Sequence, residues 1–477
     1  MAATTAPTRR RTSHAILALF GTVMLVGGTD LSKVTVALPE LTGALSLGTT
    51  QTLWTGDVHP LAAGVALIPG AVAADRFGRR RVYLIGLVVA VVGAAAAGLA
   101  ASGALLIAAR VGQGVGSALL IAGTVAIIRV IFPDVGSRAL AYGVWAAGFS
   151  TGSALGPLLG GALVEYGDWR WVFWVNVPVL LACLVAAVLV LPESTNPDPP
   201  SLDAVSAVLS ASAVGLLVAG LKDLTQPDTA PWLAPAVIVA GALAALGFVV
   251  RQLRMPRPFL DVRLLGDGTL ANAALVLAVT VGVLNGTLYL LTLRFQVVDG
   301  RTAIAAGVAL LPLAVATAVG ALLGPLLGRW FAQHIVVVAG LFAAASGFLT
   351  VATAPEAGAL VGMASLGLGA GVIMAIGANV VMSAAPEERT ADAGAIQESA
   401  FALGAGVGIA VLGVTAVRFA AASGAGTAPE AVHGVGTDGA LGVAAVLYVF
   451  FGLAAGIHLI ASSRGRRGGR EPLANPV

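Results

Sequence analysis

Four ionisable side chains stand inside long apolar runs of this chain: Asp30, Asp57, Arg110 and Glu398. A charge is costly in such a setting, so each one is a functional hypothesis. A carboxyl group in an apolar cavity is disfavoured in its charged form, and a nearby cation reverses that preference. One carboxylate can therefore hold either a proton or a cationic solute, and such competition is the minimum chemistry of antiport if access alternates between two sides. The competing reading is structural, with Asp30 pairing with Lys33 one helical turn on, or with Arg110. Lys33 is the awkward residue, because a fixed cation keeps Asp30 ionised and repels a cationic solute. For Glu398, contact with substrate or proton competes with simple stabilisation at a helix amino terminus.

Two further patterns carry mechanical meaning. Asp75-Arg76-Phe77-Gly78-Arg79-Arg80-Arg81 is a tight, acid-then-basic turn. It reads as charge anchoring of the membrane topology, or as a conformational latch formed by Asp75, Arg76, Gly78 and Arg79 if Asp75 is held against an opposing helix end. The run from Gly148 through Gly152, Gly156, Pro157, Gly160 and Gly161 repeats glycine every four residues. That spacing lines one helix face with small residues and lets another helix approach closely, while Pro157 kinks the backbone.

The elements that must position these residues follow from composition. The 477 residues are 58% hydrophobic and only 10% charged, so water is not the main solvent. Runs of about twenty apolar residues recur about fourteen times, each long enough to cross about 30 Å of hydrocarbon as a helix. The first spans are expected near Ala15 to Ala37 and Thr50 to Ala73. Asp30 and Asp57 then each lie about 10 Å below the outer end of their helices, at one level, sharing one outward-facing cavity. The expected fold class is an all-α polytopic membrane protein with two six-helix bundles and two additional central helices. Its divisions are 1–192, 193–268 and 269–477, set by the proline-rich linker around Pro197 to Pro200 and the basic linker from Arg251 to Gly268. Residues Ala420 to Asp438 are expected to form the longest outer loop.

Charge supports the parity of the count. One side collects Arg9, Arg10, Arg11, Arg76, Arg79, Arg80, Arg81, Arg129, Arg138, Arg251, Arg254, Arg257, Arg263, Arg329, Arg389 and the basic tail, whereas Arg170, Lys222, Arg294, Arg301 and Arg418 fall on the other. By the positive-inside rule both termini are cytoplasmic, in a multi-pass cell-membrane protein. The net charge of +3 belongs to these loops and gives no reason to expect nucleic acid. Cys183 stands alone, so no internal disulfide forms. The five histidines are scattered and no P-loop or metal-ligand spacing occurs, which argues against an enzyme, a resident cofactor or metal, and ATP-driven transport.

With these residues in view, the chain resembles the major facilitator superfamily, and within it the fourteen-span drug:proton antiporters. Asp75 to Arg81 resembles the superfamily's short-loop signature, with Ala71 where a leading glycine is usual. Arg110-Val111-Gly112-Gln113-Gly114 resembles the fourth-span motif, and Gly148 to Gly161 the fifth-span motif associated with exporters. Asp30 to Pro39, Trp169 to Pro178, Leu53 to Asp57 and Phe259 to Leu264 resemble quaternary-ammonium multidrug pumps of the QacA type. The resemblance implies a proton-coupled exporter of lipophilic, often cationic, small molecules, working as a monomer in the bilayer, with Asp30, Asp57, Arg110 and Glu398 as proton or cation sites. Lipid or other solute translocation on the same fold is the alternative. Thr317 and Gln397 stand where such pumps carry further acids, and Lys33 where they carry an apolar residue, which argues against a divalent substrate and for monovalent or neutral ones.

Overall fold

The structure, a computed structural model, describes residues 6–450 except 133, 197–202, 225–229, 257, 259, 354–355, 386–389, 427 and 447. The expected proline run, Arg257, Arg389 and the arginines of the tail lie outside the described residues.

Backbone amides have no water to bond in hydrocarbon, so each apolar run closes its hydrogen bonds within itself as a helix. Among the described residues fourteen helices are long and apolar enough to cross a membrane. They are α1 Ser13–Ala44, α2 Thr49–Phe77, α3 Arg79–Gly98, α4 Gly103–Ile131, α5 Leu140–Tyr166, α6 Trp171–Val190, α7 Ala204–Asp223, α8 Leu233–Arg254, α9 Gly268–Val298, α10 Ala303–Trp330, α11 Gln333–Thr353, α12 Gly358–Ala384, α13 Asp392–Ala422 and α14 Val432–Phe450. Several begin on a side-chain cap: Ser102 accepts from the Leu105 amide, Asp203 from Val205, Asp267 from Thr269 and Thr302 from Ala305. Each cap satisfies an amide that the helix itself leaves open.

Spans α1–α6 form one bundle and α9–α14 the other, with α7 and α8 a hairpin between them in sequence. We call the end where α1 starts the near end and the opposite one the far end. The hairpin is fastened at the near end, where Arg251 of α8 donates to both oxygens of Asp203, at 2.8 and 3.0 Å, and Gln252 donates to Ser206 at 2.6 Å. The hydrogen bonds from Arg251 hold the Asp203 carboxyl below the usual range. Elsewhere the hairpin leaves large apolar side chains such as Val208, Leu243 and Leu246 exposed, as a lipid-facing surface requires.

The two bundles meet at the far end. Gln296 of α9 donates to the Val36 carbonyl at 2.8 Å, and the Ile304 amide donates to Glu165 at 3.2 Å. Leu38 and Leu53 belong to the same apolar cluster as the second bundle's core. The far end is therefore closed in this conformation.

Two expectations about length are corrected. Helix α1 continues through Pro39 to Ala44, because one proline costs a single internal hydrogen bond and the surrounding helices support the rest. Asp30 thus lies fourteen residues, about 21 Å, from the far end of its helix, whereas Asp57 lies eight residues, about 12 Å, from its own. Asp30 is therefore deeper below its own helix end than expected, while His59, two residues after Asp57, stands 4.0 Å from the Asp30 carboxylate. Also, α13 runs to Ala422 and α14 starts at Val432, leaving only residues 423–431 of the expected long loop.

The four-residue glycine stripe seats α5 on α1. A Cβ at Gly148 would overlap the Gly21 carbonyl, one at Gly152 the Leu25 carbonyl, and one at Gly160 would stand 2.6 Å from the carbonyl oxygen of Lys33. Gly143, on the same helix, has open space instead. Backbone contact of this kind tolerates no side chain, and overpacking costs about 1–3 kcal/mol or more. Gly152→Leu should therefore lower the thermal midpoint and the monodisperse yield of detergent-purified protein well beyond Gly143→Leu. Equal behaviour of the two variants would refute the packing assigned to the stripe.

Candidate functional site

Asp30 is the centre of a buried polar cluster inside the first bundle. Arg110 of α4 donates to its Oδ2 at 2.6 Å, Asn176 of α6 donates to its Oδ1 at 2.8 Å, and the Lys33 Nζ lies 3.3 Å from Oδ1. Lys33 also donates to the Asn176 side-chain oxygen at 2.5 Å. Asn176 thus bridges anion and cation, giving with its amide nitrogen and receiving with its oxygen. Arg110 reaches Gln113 at 3.1 Å and lies over the Phe173 ring. His59 of α2 is bonded to Ser117 at 3.1 Å and stands 4.0 Å from Asp30. Asp30, Lys33, Arg110, His59 and Asn176 are all nearly inaccessible to solvent.

Sequence contributes to this geometry at several scales. Lys33 follows Asp30 by one turn, which places both on one face of α1. The glycine stripe presses α5 against that helix. Gly114 of α4 lies against the His59 carbonyl, where a Cβ would overlap it, so the span that carries Arg110 is drawn close to α2.

Asp57 sits in a different environment. It is two residues before His59 on α2, and about 200° of helical rotation separates the two side chains. Its Oδ1 accepts from Lys222 of α7 at 2.7 Å, and both side chains are wholly buried. The expected shared cavity for Asp30 and Asp57 is therefore replaced by two separate ion clusters on opposite faces of one helix. Lys222, counted in the sequence among the charges of the far side, is an internal residue.

Glu398 lies six residues into α13, half-buried, beside Gln397. The turn of α13 that packs on Asp57 is at Gly406, eight residues or about 12 Å further toward the far end. Glu398 thus stands apart from both aspartates, nearer the near end.

The Asp75 turn is built on the segment that follows α6. Arg79 donates to Asp75 at 2.9 Å, and the Asn196 amide donates to the Asp75 carbonyl at 3.0 Å. Arg80's amide donates to Glu193 at 3.1 Å and its guanidinium to the Val188 carbonyl at 2.6 Å. Gly78 has φ +111°, a conformation that favours glycine, and Glu193 fills the space where a side chain would stand. Asp75 therefore pairs with the start of α3 and the end of its own bundle. Pro157 and Gly161 of the glycine stripe reach the second bundle, touching Gly307 and Ala303 of α10.

His59, Asn176 and Lys222 are the site residues that sequence reasoning missed. A single histidine, asparagine or lysine carries no spacing signal of its own. Asn176 stood within the sixth-span resemblance, and His59 two residues from Asp57, as the only pointers. Among the described residues no group of acids, histidines and cysteines is arranged to hold a metal ion.

Comparison with known proteins places this geometry. Residues 18–409 match the model of the Major Facilitator Superfamily. The multidrug efflux pump LfrA of Mycolicibacterium smegmatis is 34% identical over 87% of this chain and 82% of its own length. The methyl viologen resistance protein SmvA of Salmonella typhimurium is 31% identical over 83% of this chain and 80% of its own. Among solved structures, a bacterial homologue of the human lysosomal transporter Spinster superposes with a TM-score of 0.69 over 98% of this chain and 100% of its own, at 19% identity, a likeness of fold alone. With fourteen spans, two bundles and a family match over most of its length, the chain belongs to the major facilitator superfamily of membrane transporters.

Proposed function

We propose that this protein exports lipophilic small molecules, neutral or singly cationic, in exchange for protons, with Asp30 as the principal proton site. The observation that carries the proposal is the buried set of Asp30, Lys33 and Arg110, one anion against two cations, held together by Asn176. The likeness to LfrA, a multidrug efflux pump, supports the direction and the substrate class.

The cluster sums to one positive charge with His59 neutral. Proton uptake on Asp30 raises it to two without moving a substrate. A cation held about 8 Å away, at an effective dielectric constant of about 20, is then repelled by about 2 kcal/mol more. Proton and cationic substrate therefore exclude one another through the field, and direct contact with Asp30 is unnecessary. A neutral lipophilic substrate feels the rearrangement of the cluster instead.

Alternating access converts this exclusion into transport. The bundles meet at the far end, and the near end is where substrate is taken up. The arginine-rich turns make the near end cytoplasmic, which puts both termini inside and the protein in the plasma membrane. When the far-end contacts part, Asp30 meets external protons, and substrate leaves. The Asp75 turn, braced by Arg79 and Glu193, holds the near ends of α2 and α3 as one unit during this motion, with Arg76 and Gly78 shaping it. Glu398, closer to the near end on α13, is placed to meet protons or cations arriving from the cytoplasm.

Asp30→Asn should reduce ethidium efflux driven by a pH gradient in proteoliposomes by about tenfold or more, with membrane insertion retained. Normal gradient-driven efflux by that variant would remove Asp30 from the mechanism. Lys33→Ile lowers the cluster by one charge, so export of monovalent cations relative to neutral drugs should improve by up to about thirtyfold, the ratio equivalent to the ~2 kcal/mol Coulomb term. An unchanged ratio would show that Lys33 does not set charge preference.

A further inference from the structure

Lys222 is the next-to-last residue of α7, yet its side chain is wholly buried and turned inward. A lysine at the end of a membrane helix ordinarily extends its ammonium to the interface. This one donates to Asp57 and stands 3.5 Å from the centre of the Trp54 ring, so carboxylate and aromatic face hold it together. Both partners belong to α2.

The pair sits where three parts of the molecule meet. Leu61 of α2, Val218 of α7 and Ala410 of α13 form one apolar cluster, with Trp54, Val214 and Leu221 packed around it. The first bundle, the hairpin and the second bundle are thereby joined at a single seam. Around Asp57, α7 supplies Lys222 and α9 supplies Tyr289, whose ring lies against Gly56 and whose phenol is the other titratable group there, while α13 packs Gly406 on the Asp57 carbonyl and Ile409 near Gly56, neither of which titrates. The second carboxylate oxygen, Asp57 Oδ2, is buried without a hydrogen-bond partner.

We infer that Lys222 is a coupling residue: Asp57 alternates between Lys222 and a proton, and this exchange fastens or releases the seam between α2, α7 and α13. The inference rests on the proton-coupled reading above. A proton from far-side water adds to Oδ2 and forms an O–H bond, leaving a neutral carboxyl. Lys222 stays protonated. Its ammonium is retained by Trp54 or turns to the far-end water, since α7 ends one residue later at Asp223. The Asp57–Lys222 pair then no longer holds α2 to the hairpin, and the seam between α2, α7 and α13 is loosened. Spans α7 and α8 thus contribute a working charge to the core, and the transporter has a second proton-responsive site, distinct from Asp30.

The test separates coupling from structure by comparing two modes of transport in proteoliposomes: ethidium efflux driven by a pH gradient, and ethidium exchange at equal pH on both sides. Lys222→Met should reduce driven efflux by about tenfold and leave exchange within about threefold of the wild type. Lys222→Arg should restore driven efflux. Asp57→Asn combined with Lys222→Met leaves no lone buried charge, and it should show the same split even if Lys222→Met alone folds poorly. Driven efflux at the wild-type level in the double variant, or a parallel loss of both modes in it, would overturn the inference. If wild-type efflux ignores the pH gradient and Asp30→Asn changes nothing, the proton-coupled reading itself falls. Failure confined to the Lys222 variants leaves that reading standing.

Discussion

A charge buried in hydrocarbon has to find its counter-charge inside the protein, and the architecture of this chain is arranged around two such settlements. Separating a buried ion from its partner typically costs about 3–5 kcal/mol, a large share of the stability of any domain. Asp30 is therefore fixed to Arg110 and Lys33, and Asp57 to Lys222, more firmly than apolar packing alone would hold those helices. The glycine stripe of α5 belongs to the same constraint. Close approach of α5 confines α1, and a confined α1 keeps Asp30 within reach of donors from α4 and α6.

Helix α2 borders both settlements. His59 faces the Asp30 cluster and Asp57, two residues earlier, faces the hairpin and α13. Because a helix transmits displacement as a rigid body, a change in either cluster moves the face of the other. Coupling between distant sites requires an element with two arrangements that both sites bias. An α2 with His59 against the Asp30 cluster on one face and an ion pair to Lys222 on the other is in position to be such an element, and the Asp75 turn at its near end joins it to α3.

The membrane class and the span count were legible in the sequence because each rests on a one-dimensional signal, whereas Arg110 beside Asp30 was only one of the pairings the competing reading left open. Apolar runs have a required length, loop arginines have a side, and Gly148, Gly152, Gly156 and Gly160 share a face by periodicity. Depth and facing were not legible in that way. Reading α1 as ending near Pro39 placed Asp30 too close to the surface, since only the neighbouring helices reveal that the helix continues. Lys222 directly follows an apolar stretch and reads as an interfacial anchor until α2 supplies a carboxylate and an indole face to hold it inward. Asn176 has no charge and no periodic partner. Its importance arises from standing between Asp30 and Lys33, a relation that exists only after α1 and α6 have packed.

The excess of positive charge around Asp30 bears on what such a protein can move. Two cations against one acid would reject cations outright if the substrate had to replace Lys33 or Arg110 on the carboxylate. A site that acts at a distance softens this difficulty, because the change in field on protonation equals one charge whatever the starting sum, and the starting sum sets only how well a cation is held before protonation. The chemical demands on the substrate are then loose: an apolar body that partitions into the cavity, and at most one charge. In the proposed mechanism, breadth of substrate follows from keeping the proton site bonded to the protein's own side chains.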